Sequence, residues 1–516
     1  MADKFSNPYD QRKSLVVHWH HSQCLLTDSM HVGQVVTIDD LPDDALLEIF
    51  DFYVARYHTL VFRGSNDYYT KRKIESWQSL VHVCRRWRGL VFESPRRLNL
   101  RLCCKTGRPV KETLDVWPAL PLIIYGSAFK MSADTVRDRI CQIDLNCLGT
   151  ALQFEQLWTE MQWQVPFPEL AVLYLRGATF QFFWQVAVPV LPDSFLGGSA
   201  PRLRYLALTS IPFPGLPKFL LSATHLVDLH LHDIPHSGNI SSETMVASLS
   251  VLTSLVTLRL EFEFPQLYPD RESRRPRPPA RSVLPALEVF TYKGLNEYSE
   301  KLLAQIDAPR LYRLSTTFFD EIDFSAPELT QFITRTPEIG AYSEARLILH
   351  NREAQVRLQS PPAPFNHMVK VKTLCDGSNR QLSFLAQICT LSLRHLLTIE
   401  NLYIHEDQIS LFNRRDDIEN AKWSDLLLPF TAVKNLYLSG PFSPRIAPTP
   451  QEQTGGKTTE VFPALQNILL EGFEPSEPVQ EDIAQFISSR QLTNNHPVAL
   501  SVWHRDLAWE EMYLET

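Results

Sequence analysis

Two stretches near the N-terminus repeat apolar residues at the three- and four-residue steps of an α-helix. In the first stretch, Leu46, Phe50 and Val54 recur every four residues, and Pro42 precedes them at a position that suits a first helical turn. In the second stretch, apolar side chains and one cysteine follow steps of three and four: Trp77, Leu80, Cys84, Trp87 and Val91. The pattern predicts a pair of amphipathic helices between residues 37 and 95.

The periodicity changes at Pro95, which cannot continue a helix. Leu98, Leu100 and Leu102 then alternate with polar residues, as one face of a β-strand does. Farther along, a short phrase recurs in which apolar residues occupy the first, fourth and sixth places. Clear copies begin at Leu170, Leu203, Leu226, Leu255, Val433 and Leu465, and weaker copies begin at Leu287, Leu311 and Ile399. The phrase predicts a series of short strands with apolar side chains pointing inward.

The spacing of these copies, about 23 to 34 residues within each run, is typical of a repeat array. We therefore expect an α/β protein with an N-terminal helical domain followed by an irregular leucine-rich-repeat solenoid, in which each repeat contacts only its neighbours. The alternative interpretation is an ordinary α/β domain whose strands share a leucine pattern. It is kept open because the usual asparagine after the phrase is absent and residues 312–398 contain no clear copy.

Local composition sets the expected domain boundaries. Residues 1–36 are polar and are expected to form a loosely ordered lead, residues 37–95 the helical domain and residues 96–516 the repeat domain. Two segments of the repeat domain are expected to be loops: 265–283, rich in arginine and proline, and 441–461, rich in proline, glycine and threonine. Neither carries enough apolar surface to offset the cost of ordering its backbone.

The overall composition is that of a folded protein. Hydrophobic residues make up 44% and charged residues 21% of the 516 residues, and the formal net charge is −8. Nothing in this overall charge favours nucleic acid or an anionic membrane as a partner, so a protein partner is the simpler expectation. No Cys-x-x-Cys pair, no apolar signal core and no apolar run of about 18 residues occurs. We therefore expect no membrane span and a reducing compartment, cytoplasm or nucleus.

The N-terminal pattern resembles a known family motif. Leu41 and Pro42 are followed by acidic residues and by Leu-Leu-x-Ile-Phe, and residues 80–87 are Leu-Val-x-Val-Cys-Arg-Arg-Trp. This arrangement resembles an F-box, the motif through which a large family of proteins binds a Skp-type adaptor. The resemblance implies an adaptor-binding surface made of Leu41, Pro42, Leu46, Leu47, Phe50, Val83, Cys84 and Trp87. The long, aromatic segment 51–76 departs from the short connection usual in the family.

The same resemblance implies a function. A repeat domain behind the motif is a common layout among F-box proteins, and the proline-introduced repeats are similar to those of fungal members. Such a protein is the substrate-recognition subunit of a Skp–cullin–F-box ubiquitin ligase: the adaptor links it to a cullin and a RING subunit, and its repeats bind a target protein. It performs no chemistry itself. Candidate target-binding residues are the exposed ones between the inward leucines: Tyr174, Tyr205, Asp228, His230, Arg259, Arg313, Tyr403, Asn435 and Tyr437.

Motifs that would indicate catalysis or metal binding fail on their spacing. The histidines and cysteine of 18–24 have no second cluster at zinc-finger spacing, and 455–458 lacks the first glycine of a phosphate-binding loop. His405-Glu406 lacks the second histidine of a zinc-protease helix, since Ile409 stands in its place. We therefore expect no cofactor, no metal and no catalytic residue.

Two alternatives to the ligase subunit stay open. The chain could be a repeat scaffold that binds partners without delivering them for ubiquitination, with the N-terminal helices only capping the open end of the array. It could instead be a nucleic-acid-associated protein that works through the arginines of 271–281, although Asp270 and Glu272 favour a solvated loop.

Overall fold

The structure is a computed structural model of the 516-residue chain. It describes residues 38–58, 77–105, 114, 117–126, 136–146, 163–177, 190–263, 281–319, 324–340, 342–350, 352–360, 367–375, 378–392, 394–406, 426–439, 461–471, 487–488 and 497–503. The expected lead 1–36 therefore lies outside the described residues.

The helices and strands follow one another in the order of a mixed α/β protein. The α-helices are α1 (Asp43–His58), α2 (Gln78–Val81), α3 (Arg85–Glu93), α4 (Leu216–Leu220), α5 (Ser242–Leu249), α6 (Asn296–Leu303), α7 (Pro327–Arg335) and α8 (Ser378–Ser392). The first strands are β1 (Leu102–Lys105), β2 (Leu122–Gly126), β3 (Ile140–Asn146), β4 (Val172–Arg176), β5 (Tyr205–Thr209), β6 (Asp228–Ile234), β7 (Thr257–Phe262), β8 (Ser282–Val283) and β9 (Val289–Gly294). The remaining strands are β10 (Ile306–Asp307), β11 (Arg313–Phe319), β12 (Glu344–His350), β13 (Glu353–Gln359), β14 (Met368–Leu374), β15 (Asn401–Glu406), β16 (Asn435–Leu438), β17 (Asn467–Glu471) and β18 (Ala499–Trp503).

Sixteen of the strands form one sheet. Its order is β1-β2-β3-β4-β5-β6-β7-β9-β11-β14-β13-β12-β15-β16-β17-β18, and β8 and β10 pair separately. The described strands of the large sheet pair in parallel except for β12 with β13 and β13 with β14, which are antiparallel. The three strands β12, β13 and β14 thus form a meander that is inserted in reverse order, so that β11 pairs with β14 and β12 pairs with β15.

The inner face of the sheet carries the leucines of the recurring phrase. Leu206, Leu229 and Leu258 are fully buried, and Leu229 and Leu258 alternate with half-buried polar residues along their strands. Helices cover this face: Met245 and Leu249 of α5 belong to the same buried core. The Ser241 hydroxyl starts α5 by accepting a hydrogen bond from the Thr244 amide at 3.2 Å, which satisfies one of the free N–H groups of the first turn.

The N-terminal helices are part of this core. Leu46 and Phe50 of α1 belong to the same buried cluster as Leu98 and Leu102. The indole N–H of Trp77 donates a hydrogen bond to the Arg101 carbonyl oxygen, 3.0 Å away. The helices therefore pack on the first strands of the sheet.

The predicted fold class, an N-terminal helical F-box followed by a leucine-rich-repeat solenoid, is wrong. The described chain has one 16-stranded, mostly parallel sheet, and its N-terminal helices share the core of that sheet. The leucine pattern fixes which side chains point inward, but it does not fix strand order. A repeat array in which each repeat contacts only its sequence neighbours excludes the pairing of β11 with β14 and of β12 with β15.

The segments expected to be loops are described only at their ends. Ser282–Val283, the last two residues of the first segment, form β8 and pair in parallel with β10. Residues 264–280 and 440–460 lie outside the described residues. Within the part of the chain that the structure describes, the helices are too short or too polar to cross a membrane.

Candidate partner-binding surfaces

The apolar face of α1 is directed into the protein. Leu46, Leu47 and Phe50 are all buried, and Phe50 packs against Trp87 of α3 with ring centroids 4.7 Å apart. Trp87 is half-buried, and its indole nitrogen has no hydrogen-bond partner among the described residues. Leu46, Leu47 and Phe50 stay a predicted adaptor-contacting set, but in this chain their side chains are buried and hold α1 against the rest of the core.

The turn before α1 is fixed by an arginine of α3. A guanidinium nitrogen of Arg86 donates to the Leu41 carbonyl oxygen at 2.5 Å and to a carboxylate oxygen of Asp43 at 2.6 Å. Pro42 is exposed, and Leu41 is half-buried. Cys84 is the N-cap of α3, where its sulfur accepts a hydrogen bond from the Trp87 amide at 3.4 Å. Leu41 and Cys84 therefore position the two helices, and Pro42 faces solvent.

The solvent side of the helices carries a second set of apolar residues. On α1, Ile49 is 45% exposed and Phe52 is 73% exposed, and Tyr53 beside them is also exposed. Their steps of three and four place them on one helix face, which we call the α1 apolar strip: Ile49, Phe52 and Tyr53. Val83, between α2 and α3, is 58% exposed. The F-box-like motif indicates the opposite face of α1 and therefore does not predict the strip. The three- and four-residue spacing of Ile49, Phe52 and Tyr53 is nevertheless present in the sequence.

The face of the sheet opposite the inward leucines is the outer face. Cross-strand register aligns one outer residue from each strand between β4 and β16, and we call this the central row: Tyr174, Ala207, His230, Arg259, Thr291, Ser315, Lys370, Arg357, Arg346, Tyr403 and Tyr437. Five of the predicted target-binding residues belong to it. The other four lie one step along their strands: Tyr205, Asp228, Arg313 and Asn435. The structure thus brings the predicted residues onto one face.

The β5–β9 part of the outer face is a connected polar network. The Tyr205 hydroxyl lies 3.3 Å from Nδ1 of His230, and the two rings meet edge to face. Burial lowers the pKa of His230 to about 3, and the Arg259 and His232 charges act in the same direction. Burial also raises the pKa of Tyr205 to about 12. Nε2 of His230 is buried without a hydrogen-bond partner among the described residues, so this histidine is neutral at physiological pH.

Charges in the same part of the face are paired. Nδ1 of His232 lies 3.2 Å from a carboxylate oxygen of Glu261, and Lys293 Nζ lies 3.5 Å from Asp233. Although burial raises it, the pKa of Glu261 is held below its usual value by the hydrogen bond from His232 and by the nearby cations. Glu261 and Asp233 therefore each have a basic neighbour. Beside it, the Arg176 guanidinium covers the ring of Tyr174 at 5.3 Å.

The part of the outer face formed by the adjacent strands β11, β14, β13 and β12 is rich in basic side chains. Lys370, Arg357 and Arg346 stand on three adjacent strands in direct cross-strand register. Arg313 and Lys372 stand beside them on β11 and β14. Burial lowers the pKa of Lys370 to about 8, and the charges of Lys372 and Arg357 act in the same direction.

An aromatic cluster borders the cationic residues on β15 to β18. The rings of Tyr403 and Tyr437 stack with centroids 4.1 Å apart, and Trp503 meets Tyr437 edge to face at 5.6 Å. The Arg346 guanidinium lies 5.1 Å from the Tyr403 ring centroid, which joins the two groups. Flat aromatic surface next to arginine is the composition enriched in protein–protein hot spots.

Asn435, another predicted target-binding residue, belongs to an amide ladder. Its side-chain amide donates to Asn401 at 2.8 Å and accepts from Asn467 at 2.7 Å. Each of these hydrogen bonds links neighbouring parallel strands. The ladder stabilises the register of β15, β16 and β17, so the primary role of Asn435 is structural.

A cavity of about 20 Å³ between β5, β6 and α5 is lined by Leu208, Phe213, Leu231 and Met245. That volume accommodates about one water molecule. Within the described ranges no three histidine, cysteine or acidic side chains cluster as metal ligands do, and residues 18–24 and 455–458 lie outside those ranges.

Comparison with known proteins adds no family to this description. No protein-family model and no curated protein sequence matches the chain.

Proposed function

We propose that the chain is the substrate-recognition subunit of a Skp–cullin–F-box ubiquitin ligase. Its N-terminal helices bind a Skp-type adaptor, which connects it to a cullin and a RING subunit, and the outer face of its sheet binds a target protein. The chain itself carries out no chemistry. It raises the local concentration of the target's lysines near the ubiquitin-charged enzyme that the RING subunit recruits. The ligase complex acts in the cytoplasm or the nucleus.

The observation that carries the proposal is the α1 apolar strip. Phe52 and Ile49 are large apolar side chains on the solvent side of a helix whose other face is already buried in the core. Exposed apolar side chains gathered on one helix face mark an interaction site more often than scattered ones do. The strip lies within the segment whose sequence resembles an F-box, and Pro42 and Val83 of that motif are exposed as well. We therefore assign adaptor contact to Pro42, Ile49, Phe52 and Val83.

Adaptor binding is tested with a double substitution in the strip. Ile49→Glu with Phe52→Glu places charges on the solvent side of α1 without touching its buried face, so the fold is expected to persist. Co-purification with a Skp-type adaptor should fall at least about tenfold, as expected when two hot-spot residues are lost. Leu397→Glu is the matched control, because Leu397 is 53% exposed at a distant position. Undiminished adaptor recovery with the double variant, or equal loss with the control, would contradict the proposal.

A scaffold that binds partners without delivering them is the second candidate. One observation favours it: α1 to α3 cover the first strands of the sheet, where Trp77 is fully buried. The helices thus have a structural role that requires no adaptor. Removing residues 1–95 would uncover this core, so the full-length double variant is the better reagent. If the chain is a ligase subunit, its bound targets should live longer in cells that carry Ile49→Glu with Phe52→Glu. Equal target half-lives after a translation block would favour the scaffold.

A further inference from the structure

The last strand in the order of the sheet, β18, is much more exposed than its neighbour. In cross-strand register, Ile468 of β17 lies beside Leu500 of β18, and Leu470 lies beside Val502. The two β17 side chains are 2% and 6% exposed, whereas Leu500 is 48% and Val502 is 54% exposed. The apolar inner face of the sheet therefore continues onto β18, where it meets solvent.

The backbone of β18 also has an open edge among the described residues. The strand pairs in parallel with β17, and no other described strand pairs with it. The Ala499 amide donates to the Gln466 carbonyl oxygen at 2.9 Å, so the backbone of Ala499 faces β17. Because the N–H and C=O groups switch sides at each residue along a strand, those of Leu500 and Val502 point to the open edge. An extended segment that lay along this edge would satisfy them.

The sequence of β18 carries none of the usual protection of an edge strand. Natural edges avoid pairing with a second chain by means of lysine, proline or a bulge. Residues 499–503 are Ala-Leu-Ser-Val-Trp, with no charge and no proline, and their pairing with β17 has no register shift. The opposite end of the sheet is covered instead. There Leu102 and Cys104 of β1 are buried, and the Trp77 indole donates a hydrogen bond to the Arg101 carbonyl oxygen beside that strand.

Strand β18 is complementary to a second copy of itself. A two-fold axis normal to the sheet at Ser501 would pair two β18 strands antiparallel, with Leu500 opposite the partner's Val502 and Val502 opposite the partner's Leu500. These apolar side chains would share the inner face, and the outward N–H and C=O groups would exchange about four hydrogen bonds. On the outer face, the small side chain of Ala499 would lie opposite the large one of the partner's Trp503. Since β18 has no charged residue, no like charges would meet within the pair.

We propose that two copies of the chain pair along β18 and form a homodimer with one continuous sheet. This pairing uses the open edge of both copies and leaves a covered β1 at each end of the joined sheet. The assembly therefore closes at two chains and does not grow into a fibre. The contact involves only the five residues of β18 from each chain, Ala499–Trp503. It is smaller than a standard stable interface of about 1,600 Å², so we expect a weak dimer with a dissociation constant of about 1–100 µM.

Dimerisation goes beyond the proposed function and does not depend on it. A two-fold axis normal to the sheet leaves both inner faces on one side of the dimer and both outer faces on the other. A target that carries two recognition segments can then contact both outer faces, and its second contact gains from the high effective concentration. This advantage is the same for a ligase subunit and for a scaffold.

Sedimentation equilibrium of the full-length chain tests the dimer. The average mass should rise with protein concentration from that of one chain to that of two, and larger species should not form. Added salt should not weaken the association, because apolar burial is not screened and the charge of −8 on each chain opposes pairing. A chain that stays monomeric at every concentration would overturn the proposal and leave the edge to a strand of another protein. Growth beyond two chains would overturn it as well.

Charge substitutions at Ser501 locate the contact. Ser501→Lys places two lysines directly opposite each other and should weaken the dimer about fivefold, and Ser501→Glu should do the same. An equal mixture of the two variants pairs lysine with glutamate and should associate about as tightly as the wild type. Ser254→Lys is the matched control, because Ser254 is an exposed serine in the turn before β7. Wild-type association of Ser501→Lys alone, or no recovery in the mixture, would contradict the pairing.

A cross-link tests the register of the pairing. Ser501 would face the partner's Ser501 in a non-hydrogen-bonded pair, with Cα atoms about 4.5 Å apart, which is within the range of a disulfide. Ser501→Cys should therefore form a covalent dimer under mild oxidation, visible on a non-reducing gel. The wild type, whose described cysteines are buried or half-buried, and Ser254→Cys should stay uncross-linked. Equal cross-linking of Ser501→Cys and Ser254→Cys would indicate random collision and would overturn the two-fold pairing at Ser501.

Discussion

The two parts of the outer face are built on the same sheet but handle charge in opposite ways. On β5 to β9, acidic side chains have basic neighbours: Glu261 lies beside His232, and Asp233 lies beside Lys293. On β14, β13 and β12, Lys370, Arg357 and Arg346 stand side by side. A basic side chain beside an acid stabilises the strands that carry the pair, whereas like charges directly opposite each other lower the stability of a sheet. The comparison therefore concerns how each part of the face contributes to the stability of its strands.

The largest expected effect comes from the inner face, which both parts share. Leu229 lies behind the β5–β9 part and Leu347 behind the part rich in basic side chains, and both are fully buried. Truncating either to alanine should lower the free energy of unfolding by roughly 2–5 kcal/mol, because buried apolar contacts are lost and a cavity is left. Thr291→Ala, on the outer face, is the control and should cost far less. Denaturant midpoints provide the measurement; equal losses for all three variants would refute the inward–outward alternation.

An intermediate effect is expected in the β5–β9 part as the pH falls. The pKa of His230 is about 3 in the folded chain and about 6.5 in an unfolded one. The unfolded chain therefore binds an extra proton between these values, so stability is full above pH 6.5 and is lost as the pH drops towards 3. At pH 5 this amounts to roughly 1–2 kcal/mol. His230→Phe should flatten this part of the stability profile; a profile parallel to that of the wild type would contradict the buried neutral histidine.

The smallest expected effect is the change in the free energy of unfolding when one charge is removed from each part of the outer face. It tests the difference between the two parts most directly, because the sign of the change should differ between them. Glu261→Gln removes a carboxylate from among cations and should destabilise the chain by about 0.5–1 kcal/mol at pH 7. Lys370→Gln removes a half-buried cation that lies directly opposite Arg357 and should stabilise the chain by a similar amount, about 0.5–1 kcal/mol. Both are measured as shifts of the denaturant midpoint at low salt. Shifts of the same sign would mean that the two parts do not differ as described.

Much of the strand content could be predicted from the sequence, because alternation reports directly on burial. The phrases beginning at Leu203, Leu226 and Leu255 each coincide with a strand of the sheet. The direction and order of strands could not be predicted in the same way. An alternating strand has the same pattern whether it runs parallel or antiparallel, so the reversed meander of β12 to β14 leaves only a weak copy around Arg346–Leu349.

The candidate site was predictable to a similar extent. Alternation placed Tyr403, Arg259 and His230 on the outer face, as the register shows. Alternation does not show whether an outer side chain is hydrogen-bonded to neighbouring strands, as Asn435 is, because those bonds depend on which residues lie across from it. The motif near the N-terminus identifies apolar residues on α1. It does not show which of them are buried, because that depends on how α3 and β1 pack against the helix.

The reversed meander also has a consequence for the chain while the ribosome is still making it. From β1 to β11, most strands pair with the strand that precedes them in the chain, so each can join the edge of the growing sheet as soon as it leaves the ribosome. Strand β11 ends at Phe319, yet its next partner, β14, begins 49 residues later at Met368. At roughly 5–20 residues per second, the nascent chain exposes the unpaired edge of β11 for several seconds. An open edge is a template for wrong pairing, so biosynthesis of this protein has a vulnerable interval whose length is set by translation speed between these two strands.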